Sequence, residues 1–342
     1  MRTVRGRMMC AILCALAFLG VGEGPDGGVT IRGRVTETVT GGPLESANIF
    51  LAGTTIGTVT DRGGAFVLRG IPSGTYQLVA SRVGYRSSIS SVEIASTDLA
   101  AMTIALEPRD LVTEEITVEA GDPEEWRRCL ERFIPAFIGK GPNAALCTIV
   151  NPEVMNFQPT ESADELVAWS DSALVIDNFS LGYRLAVVVE RFEWNTRQDL
   201  GLYGIYPRFE ELTPRSFQGL DRWNANRRKT YTGSLKHFLS LLARGELAES
   251  GFVMYEGGVS SFPLPPEEIL IRPAANPAQR QIHFAGWLRV EYQAGVPPSV
   301  SYMQMQEPFA RIDTAGNLLT PFAISLAGDW AGRRVSDLLP RF

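Results

Sequence analysis

The stretch from Arg227 to His237 carries the side chains whose types and spacing could do chemistry. Three consecutive basic residues precede Ser234, which stands at the start of a helix predicted over residues 234–243. The backbone amides and the positive end of such a helix can hold an anion. His237 follows Ser234 by three positions, so it could also act as a base toward the hydroxyl group. The candidate ligand-binding residues are Arg227, Arg228, Tyr231, Ser234 and His237.

A structural interpretation of this stretch competes with both chemical ones, and we prefer it. Ser234 is a good N-cap residue, and the basic run can be a solvated surface or pair with acidic neighbours. His237 would then lie with Ser240 and Arg244 on the polar face of the helix. An anion site and nucleophilic catalysis remain as alternatives.

The familiar hydrolytic and phosphate-binding motifs are absent from the sequence. Its two histidines, His237 and His283, lack the spacings of a zinc carboxypeptidase and of His-Glu-x-x-His. Gly-x-Ser-x-Gly, Ser-x-x-Lys and the glycine loop that binds phosphate do not occur either. Near the C-terminus, Arg333 or Arg334 can pair with Asp337 along a helix, which is usually a structural contact. We therefore predict no catalytic residues, no metal site and no cofactor.

Residues 1–22 have the pattern of a signal peptide. Three arginines precede an apolar run from Met8 to Leu19, and small residues follow it. An uncleaved N-terminal anchor is the alternative. Without the three arginines, 29 of the 32 basic residues remain against 38 acidic residues, a net charge near −9. This charge argues against a nucleic-acid partner.

Two cysteines, Cys129 and Cys147, remain after the predicted leader. An exported protein can oxidise such a pair to a disulfide. Two buried free thiols are the alternative, and the sequence leaves both open.

Short stretches of alternating apolar and polar residues fill residues 28–108. This alternation, with turn residues at intervals and no helical period, predicts an all-β antiparallel sandwich of about seven strands. After Thr60, Asp61 can accept hydrogen bonds from backbone amides, and Gly63 or Gly64 can supply a positive φ. Gly74 marks a second turn. Turn geometry is preferred to a calcium site at Asp61, because no other carboxylate stands next to it.

A series of motifs follows the strands of this region. They are Gly33-Arg34-Val35, Gly42-Pro43-Leu44, Ala47-Asn48-Ile49, Gly57-Thr58, Thr60 to Phe66, Ile71 to Tyr76 and Val83-Gly84-Tyr85. In this order they closely resemble the carboxypeptidase regulatory-like domain, a transthyretin-like (prealbumin-like) sandwich. The resemblance implies a carbohydrate-binding-like fold without catalytic residues, found in bacterial outer-membrane and cell-surface proteins. Tyr76 and Tyr85 could stack on a sugar, although we prefer packing in the core or at its rim.

The rest of the chain is predicted as a linker, residues 109–121, and an α+β domain, residues 122–342. The linker resembles the one that joins this sandwich to the plug of TonB-dependent outer-membrane transporters. The residues that follow do not have the pattern of a plug or barrel. Several segments of the domain resemble the uncharacterised region that accompanies this sandwich in Bacteroidetes-like envelope proteins, which implies no activity.

Within the α+β domain, apolar spacing predicts a first helix from Asp122 to about Gly139. Its predicted buried face comprises Trp126, Leu130, Phe133, Ile134 and Phe137. Residues 166–169 and 174–176 are predicted as paired strands, 183–194 as a central strand, 281–292 as one further strand and 335–339 as a last short helix.

Together these patterns predict a non-catalytic exported envelope protein, located in the periplasm, at the outer membrane or on the cell surface. The sandwich would act as a binding or spacing module, and the α+β domain would dock on an envelope protein or a cell-surface glycan. An uncharacterised hydrolase in the C-terminal domain, and an accessory protein of a TonB-dependent transporter, are the alternatives.

Overall fold

The computed structural model describes most of the chain. The described residues are 28–95, 101–109, 123–158, 160, 162, 164–195, 197, 200–257, 262–271, 279–295, 297–320 and 322–341. The predicted leader, and the predicted linker after Arg109, lie outside these residues.

Seven strands form the N-terminal part of the structure. They are β1 (Val29–Glu37), β2 (Asn48–Leu51), β3 (Gly57–Val59), β4 (Ala65–Ile71), β5 (Gly74–Ser81), β6 (Ser88–Ile94) and β7 (Met102–Leu106). Two sheets, β4-β1-β7 and β3-β2-β5-β6, enclose one apolar core. The predicted sandwich is thus confirmed. One pair, β1 with β7, is parallel, which the sequence could not reveal because period-two alternation is the same in both orientations.

The turn between β3 and β4, after Thr60, depends on the side chain of Asp61 and on a glycine at position 64. Asp61 Oδ1 accepts hydrogen bonds from the amides of Gly63 and Ala65, both at 2.8 Å. Gly64 has a φ of 73°, and a Cβ atom there would lie 2.4 Å from the carbonyl oxygen of Val35. The aspartate therefore closes the turn, and the glycine permits close passage of β1.

The C-terminal part contains thirteen strands and four helices within the described residues. The strands are β8 (Cys147–Ile149), β9 (Met155–Gln158), β10 (Glu165–Ser170), β11 (Leu174–Asn178), β12 (Tyr183–Asn195), β13 (Leu200–Glu211), β14 (Phe252–Glu256), β15 (Leu270–Ile271), β16 (Gln279–Ile282), β17 (Trp287–Tyr292), β18 (Ser299–Met305), β19 (Ala310–Asp313) and β20 (Ile324–Gly328). The helices are α1 (Pro123–Ile138), α2 (Phe217–Tyr231), α3 (Leu235–Arg244) and α4 (Asp329–Gly332). None of these helices is long and apolar enough to cross a membrane.

The long strand β12 organises the first C-terminal sheet. β13 pairs along one side of it, while β10 and β11 follow each other along the other side. The prediction that residues 166–169 and 174–176 pair with each other is therefore wrong. At the end of β10, before β11 begins, the Ser170 hydroxyl accepts a hydrogen bond from the amide of Val189 in β12 at 2.9 Å.

Helix α1 covers this sheet with an aromatic cluster. Phe133 and Phe137 stack on each other at 4.6 Å and both meet Phe192 of β12 edge to face. Ile134, predicted on the same face, is 39% exposed. A helix turns by about 100° per residue, so a residue next to Phe133 points away from the sheet.

Both cysteines pack against this core as free thiols. The disulfide considered between Cys129 and Cys147 is therefore not formed. Burial raises the pKa of Cys147 to about 12, so its thiol is kept protonated and unreactive.

A second apolar core lies between α3 and two small sheets, β14-β17-β18-β20 and β15-β16-β19. The strand predicted over residues 281–292 is divided into β16 and β17, and Gly286 has a φ of 62° between them. The predicted last helix is a single 3₁₀ turn, Val335–Asp337. Helix α2 was not predicted, because only Trp223 and Thr230 of its fifteen residues are buried and no apolar stripe marks it.

The sandwich packs on the C-terminal part through a small apolar cluster that is separate from the three cores. Phe50 of β2 and Val79 of β5 form a buried cluster with Val188 of β12 and Tyr206 of β13. The neighbouring side chains of β2 and β5 point the other way, into the sandwich core. The sheet β3-β2-β5-β6 is thus an inner layer, with apolar residues on both faces.

Candidate ligand-binding site

Ser234 and His237 are close together, but they are not arranged as a nucleophile and its base. Ser234 Oγ accepts a hydrogen bond from the backbone amide of His237 at 3.1 Å, as an N-cap does. His237 Nδ1 accepts from the amide of Gly233 at 3.2 Å. Both polar groups therefore serve the start of α3, which agrees with the structural interpretation of this stretch.

The surroundings of the His237 ring differ from the predicted polar face. The ring is half-buried and lies 4.9 Å from the Tyr231 ring, 5.2 Å from Phe252 and 6.2 Å from Tyr292. Burial, with a smaller contribution from Arg244, lowers the pKa of His237. The ring is therefore a neutral member of an aromatic cluster. Ser240, expected beside it on the polar face, is also buried.

Arg227 lies on α2, and its guanidinium group is engaged in contacts within the protein. It donates to the carbonyl of Leu181 at 2.8 Å, pairs with Glu211 at 3.0 Å and lies 4.0 Å from the centre of the Tyr183 ring. These contacts fasten α2 to the first C-terminal sheet. Arg227 therefore contributes positive charge to this region but has a structural role.

The predicted basic residues nevertheless line a surface cavity of about 440 Å³, which we call the basic pocket. Its charged lining residues are Arg227, Arg228, Lys236, Arg244 and Arg341. Tyr183 and Tyr231 also line it, whereas Ser234 and His237 do not. The structure thus brings together three of the five candidate residues and leaves out the two that suggested catalysis.

A second cavity, the apolar chamber, has a volume of about 470 Å³ and lies where the three apolar cores meet. The sandwich contributes Tyr76 and its neighbours, the β12–β13 sheet contributes Trp194 and Tyr206, and the α3 region contributes Leu239 and Trp330. Its lining is mainly aromatic and aliphatic. This size and composition are typical of small-molecule sites.

Three residues, Lys236, Leu339 and Arg341, line both cavities. Lys236 is on the first turn of α3, and its Nζ donates to the carbonyl oxygen of Pro340 at 2.5 Å. Burial lowers the pKa of Lys236 to about 8, although Asp313 opposes this effect. The lysine is therefore a cation held at the boundary between a polar opening and an apolar interior.

Arg341 connects the C-terminal segment to the sandwich at the same boundary. Its guanidinium group pairs with Asp313 and donates to the carbonyl of Thr75 at 2.6 Å. Its backbone amide donates to the carbonyl of Gly53 at 2.7 Å. Arg341 thus belongs to the wall of both cavities and also holds two parts of the fold together.

The wall of the chamber also contains the C-terminal cluster noted in the sequence, Arg333, Arg334 and Asp337. Arg334 is buried, lies 4.0 Å from the centre of the Trp194 ring and donates to the carbonyl of Ala136 at 2.7 Å. Arg333 pairs with Asp329, four residues earlier, instead of the expected Asp337. Asp337 accepts from Asn143 at 2.6 Å, and burial raises its pKa.

Sequence reasoning missed two residues of the site, Lys236 and Arg341. Lys236 carried a usable signal, since it falls between apolar positions of α3 and one turn before Ser240, which is buried. Arg341 carried none, because its partners Thr75 and Asp313 are distant in sequence. Among the described residues, no group of three His, Cys, Asp or Glu side chains is placed to hold a metal ion.

Comparisons with solved structures give distant similarities. A type II cohesin–X-dockerin complex mutant from Acetivibrio cellulolyticus is 24% identical, over 22% of this chain and 52% of that one, with a TM-score of 0.18. A DUF3823 family protein from Bacteroides ovatus is 10% identical, with a TM-score of 0.19. The similarity covers 54% of this chain and 82% of that protein. A proposed carbohydrate-binding protein from Bacteroides uniformis is 7% identical, with a TM-score of 0.21. The similarity covers 89% of this chain and 97% of that protein. This chain spans about half of the first of these chains.

No curated protein matches the sequence. The family comparison is specific. Residues 31–118 match the CarboxypepD_reg-like domain, and the strands β1 to β7 fall within or next to this range. The sandwich of this chain is therefore a CarboxypepD_reg-like domain.

Proposed function

We propose that this protein is a non-catalytic, exported envelope protein that binds a small ligand in the apolar chamber. The observation that carries the proposal is the composition of the chamber wall, to which the sandwich, the β12–β13 sheet and the α3 region all contribute. A site whose wall is contributed by three packed cores is expected to be preorganised, and preorganisation favours binding. The sandwich then acts as a binding and support module.

The arrangement of Ser234 and His237 favours binding over hydrolysis. The serine hydroxyl caps α3 and the imidazole Nδ1 accepts from a backbone amide. A nucleophile would instead need its hydroxyl within reach of the imidazole nitrogen. The hydrolase alternative therefore has no support at the place where the sequence suggested it.

Two tyrosines of the sandwich are poorly placed to stack on a sugar. Tyr76 is buried, with the Arg341 guanidinium over its ring at 4.3 Å. Arg82 lies 5.3 Å from the centre of the Tyr85 ring. A glycan would thus not stack on either ring, and the chamber, in which Tyr76 is one wall residue among many, is the better candidate for the binding site.

Two experiments test the proposal. Fractionation of cells that express the full chain, with mass spectrometry of the N-terminus, should find a cleaved product in the envelope fraction; a cytoplasmic product would contradict export. Thermal unfolding of the purified full chain should then be measured with panels of glycans, peptides and amphiphiles. We expect one class to raise Tm.

A matched pair of variants shows whether binding occurs in the chamber. Leu326 lines it, whereas Leu220 is on the exposed part of α2. Leu326→Trp should abolish the Tm increase by filling the chamber, and Leu220→Trp should leave it unchanged. An equal response of both variants, or no response of the wild-type protein to any class, would refute binding there.

A further inference from the structure

The basic pocket and the apolar chamber differ in their lining residues and share a boundary. The basic pocket is lined by five cationic side chains and by no carboxylate. The apolar chamber is lined mainly by aromatic and aliphatic side chains, and Arg333, Arg334 and Asp337 are the charged residues that line it but not the basic pocket. Lys236, Leu339 and Arg341 are common to both. A molecule that filled both cavities would therefore place a polar end near these cations and an apolar part inside.

The charges around the basic pocket do not cancel. Arg227 pairs with Glu211, Arg244 with Glu246 and Arg341 with Asp313. Within the described part of the chain, no carboxylate pairs with Arg228 or Lys236. Lys236 instead donates to the neutral carbonyl of Pro340. Two cations thus have no ion-pair partner among the described residues: Arg228 in the basic pocket and Lys236 at the boundary, where the Asp313 carboxylate acts on the lysine as a neighbouring charge.

We propose that the two adjacent cavities together bind a single-chain amphiphile with one anionic head group, a long-chain fatty acid. This inference rests on the proposed function of the chamber as a ligand site and names the class of ligand. The carboxylate would lie between Lys236 and Arg228, and the hydrocarbon chain would extend past Leu339 to the aromatic walls around Trp194 and Trp330.

The physical basis is the cost of the charge on Lys236. A partly desolvated ammonium group is unfavourable, and Asp313 offsets only part of this cost, since the pKa of Lys236 remains lowered. An incoming carboxylate would offset more of it. The chamber supplies the second contribution, since each methylene group transferred from water into an apolar lining favours binding. A neutral sugar would use neither feature.

Calorimetric titration of the full chain at pH 7 tests the role of charge and chain length. Hexadecanoate should bind with one molecule per chain, and the uncharged hexadecanol should bind at least about tenfold more weakly. Shortening the acid by two methylenes should weaken binding by roughly tenfold. Hexadecyl phosphate is the comparison that distinguishes a carboxylate from a phosphate head; tighter binding of the phosphate would overturn the assignment to a fatty acid.

A matched pair on α2 tests the position of the head group. Arg228 and Lys229 are both exposed in the last turn of this helix, but only Arg228 lines the basic pocket. Arg228→Gln should weaken hexadecanoate binding about three- to tenfold, whereas Lys229→Gln should not change it. Lys236→Met should weaken hexadecanoate binding by more than tenfold and should affect hexadecanol binding much less.

The outcomes separate this inference from the proposed function. Equal affinities for hexadecanoate and hexadecanol, or equal effects of Arg228→Gln and Lys229→Gln, would overturn the anionic head group. A Tm increase caused by glycans or peptides alone, still sensitive to Leu326→Trp, would overturn the fatty acid and keep the chamber as a ligand site. If Leu326→Trp changes the Tm increase of no ligand, both the fatty-acid inference and the proposed function of the chamber fail.

Discussion

The guanidinium group of Arg341 lies over the ring of Tyr76, with its central carbon 4.3 Å from the ring centre. The arginine comes from the C-terminal segment and the tyrosine from strand β5 of the sandwich. The same guanidinium pairs with Asp313, and both side chains are largely buried. One residue therefore links the sandwich, the strand β19 and the wall of the proposed site.

Replacement of Arg341 by alanine should destabilise the whole protein. It would leave Asp313 in a buried place without its partner and remove the contact with Tyr76, at an expected cost of about 2–4 kcal/mol in the free energy of unfolding. Urea unfolding, followed by tryptophan fluorescence, measures this. The control is Arg62→Ala, whose partner Glu45 is also exposed and which should cost less than about 0.5 kcal/mol. Equal costs would contradict the linking role.

The contact between the sandwich and the β12–β13 sheet can be tested at Phe50. This side chain is 1% exposed and packs beside Val188, so Phe50→Ala should cost about 3–5 kcal/mol. Phe217→Ala, at an 89% exposed position, should cost almost nothing. A double-mutant cycle of Phe50→Ala with Val188→Ala should give a coupling of at least about 0.5 kcal/mol, since the residues are in contact. Additive effects would indicate that the two parts do not pack as described.

Gly316 should tolerate no side chain, because its backbone lies against the backbone of α3. A Cβ atom there would lie 2.1 Å from the carbonyl oxygen of Lys236, and its φ is 81°. Gly41 has a similar φ of 68° but open space around it. Gly41→Ala should therefore cost only the conformational strain of about 1–2 kcal/mol, whereas Gly316→Ala should cost clearly more and displace Lys236. Thermal unfolding of both variants provides the comparison, and equal losses would refute the close approach.

The charge on Lys236 predicts a specific pH dependence. Its pKa is 10.5 when unfolded and about 8 when folded, with Asp313 and Arg341 as the charged neighbours. Between these values the unfolded chain binds more protons, so the free energy of unfolding should rise with pH. The rise attributable to Lys236 should reach at most about 3 kcal/mol. Lys236→Met should lack this rise when both proteins are unfolded in urea from pH 7 to pH 10.5; identical profiles would contradict the buried position of the lysine.

Cys147 should resist alkylation, because burial keeps its thiol protonated at neutral pH. Iodoacetamide at pH 8, followed by peptide mass spectrometry, should leave Cys147 unlabelled in the folded protein and label it in denaturant. Cys129, whose pKa is also raised by burial, should react slowly. Recovery of a Cys129–Cys147 disulfide peptide would contradict the presence of two free thiols.

The sandwich could be predicted from the sequence because its information is local. Alternation along β1 or β5, and the turn at Asp61, depend on residues a few positions apart. The same holds for α3, where Ser234 and Gly245 mark the two ends. Helix α2 has such an N-cap in Ser216, but its polar surface leaves no apolar period to detect.

The candidate site could be predicted only in part, because most of it depends on long-range contacts. The basic run at Arg227 and Arg228, for which an anion site was the alternative to a structural surface, lines the basic pocket. The apolar chamber had no sequence signal, since Tyr76, Trp194 and Trp330 meet only after three cores have packed. The preference for Ser234 as a cap was correct for a local reason, and the expectation for His237 was wrong because β14 and β17 cover it.

The inner layer formed by β2 and β5 has a practical consequence for anyone who wishes to transplant the sandwich. Cutting the chain after Arg109 would uncover Phe50 and Val79, which now lie against Val188 and Tyr206. Such a fragment would expose an apolar patch and is expected to self-associate or precipitate. Assays on excised fragments would then report this artificial surface, so the complete polypeptide is the appropriate reagent for every binding measurement.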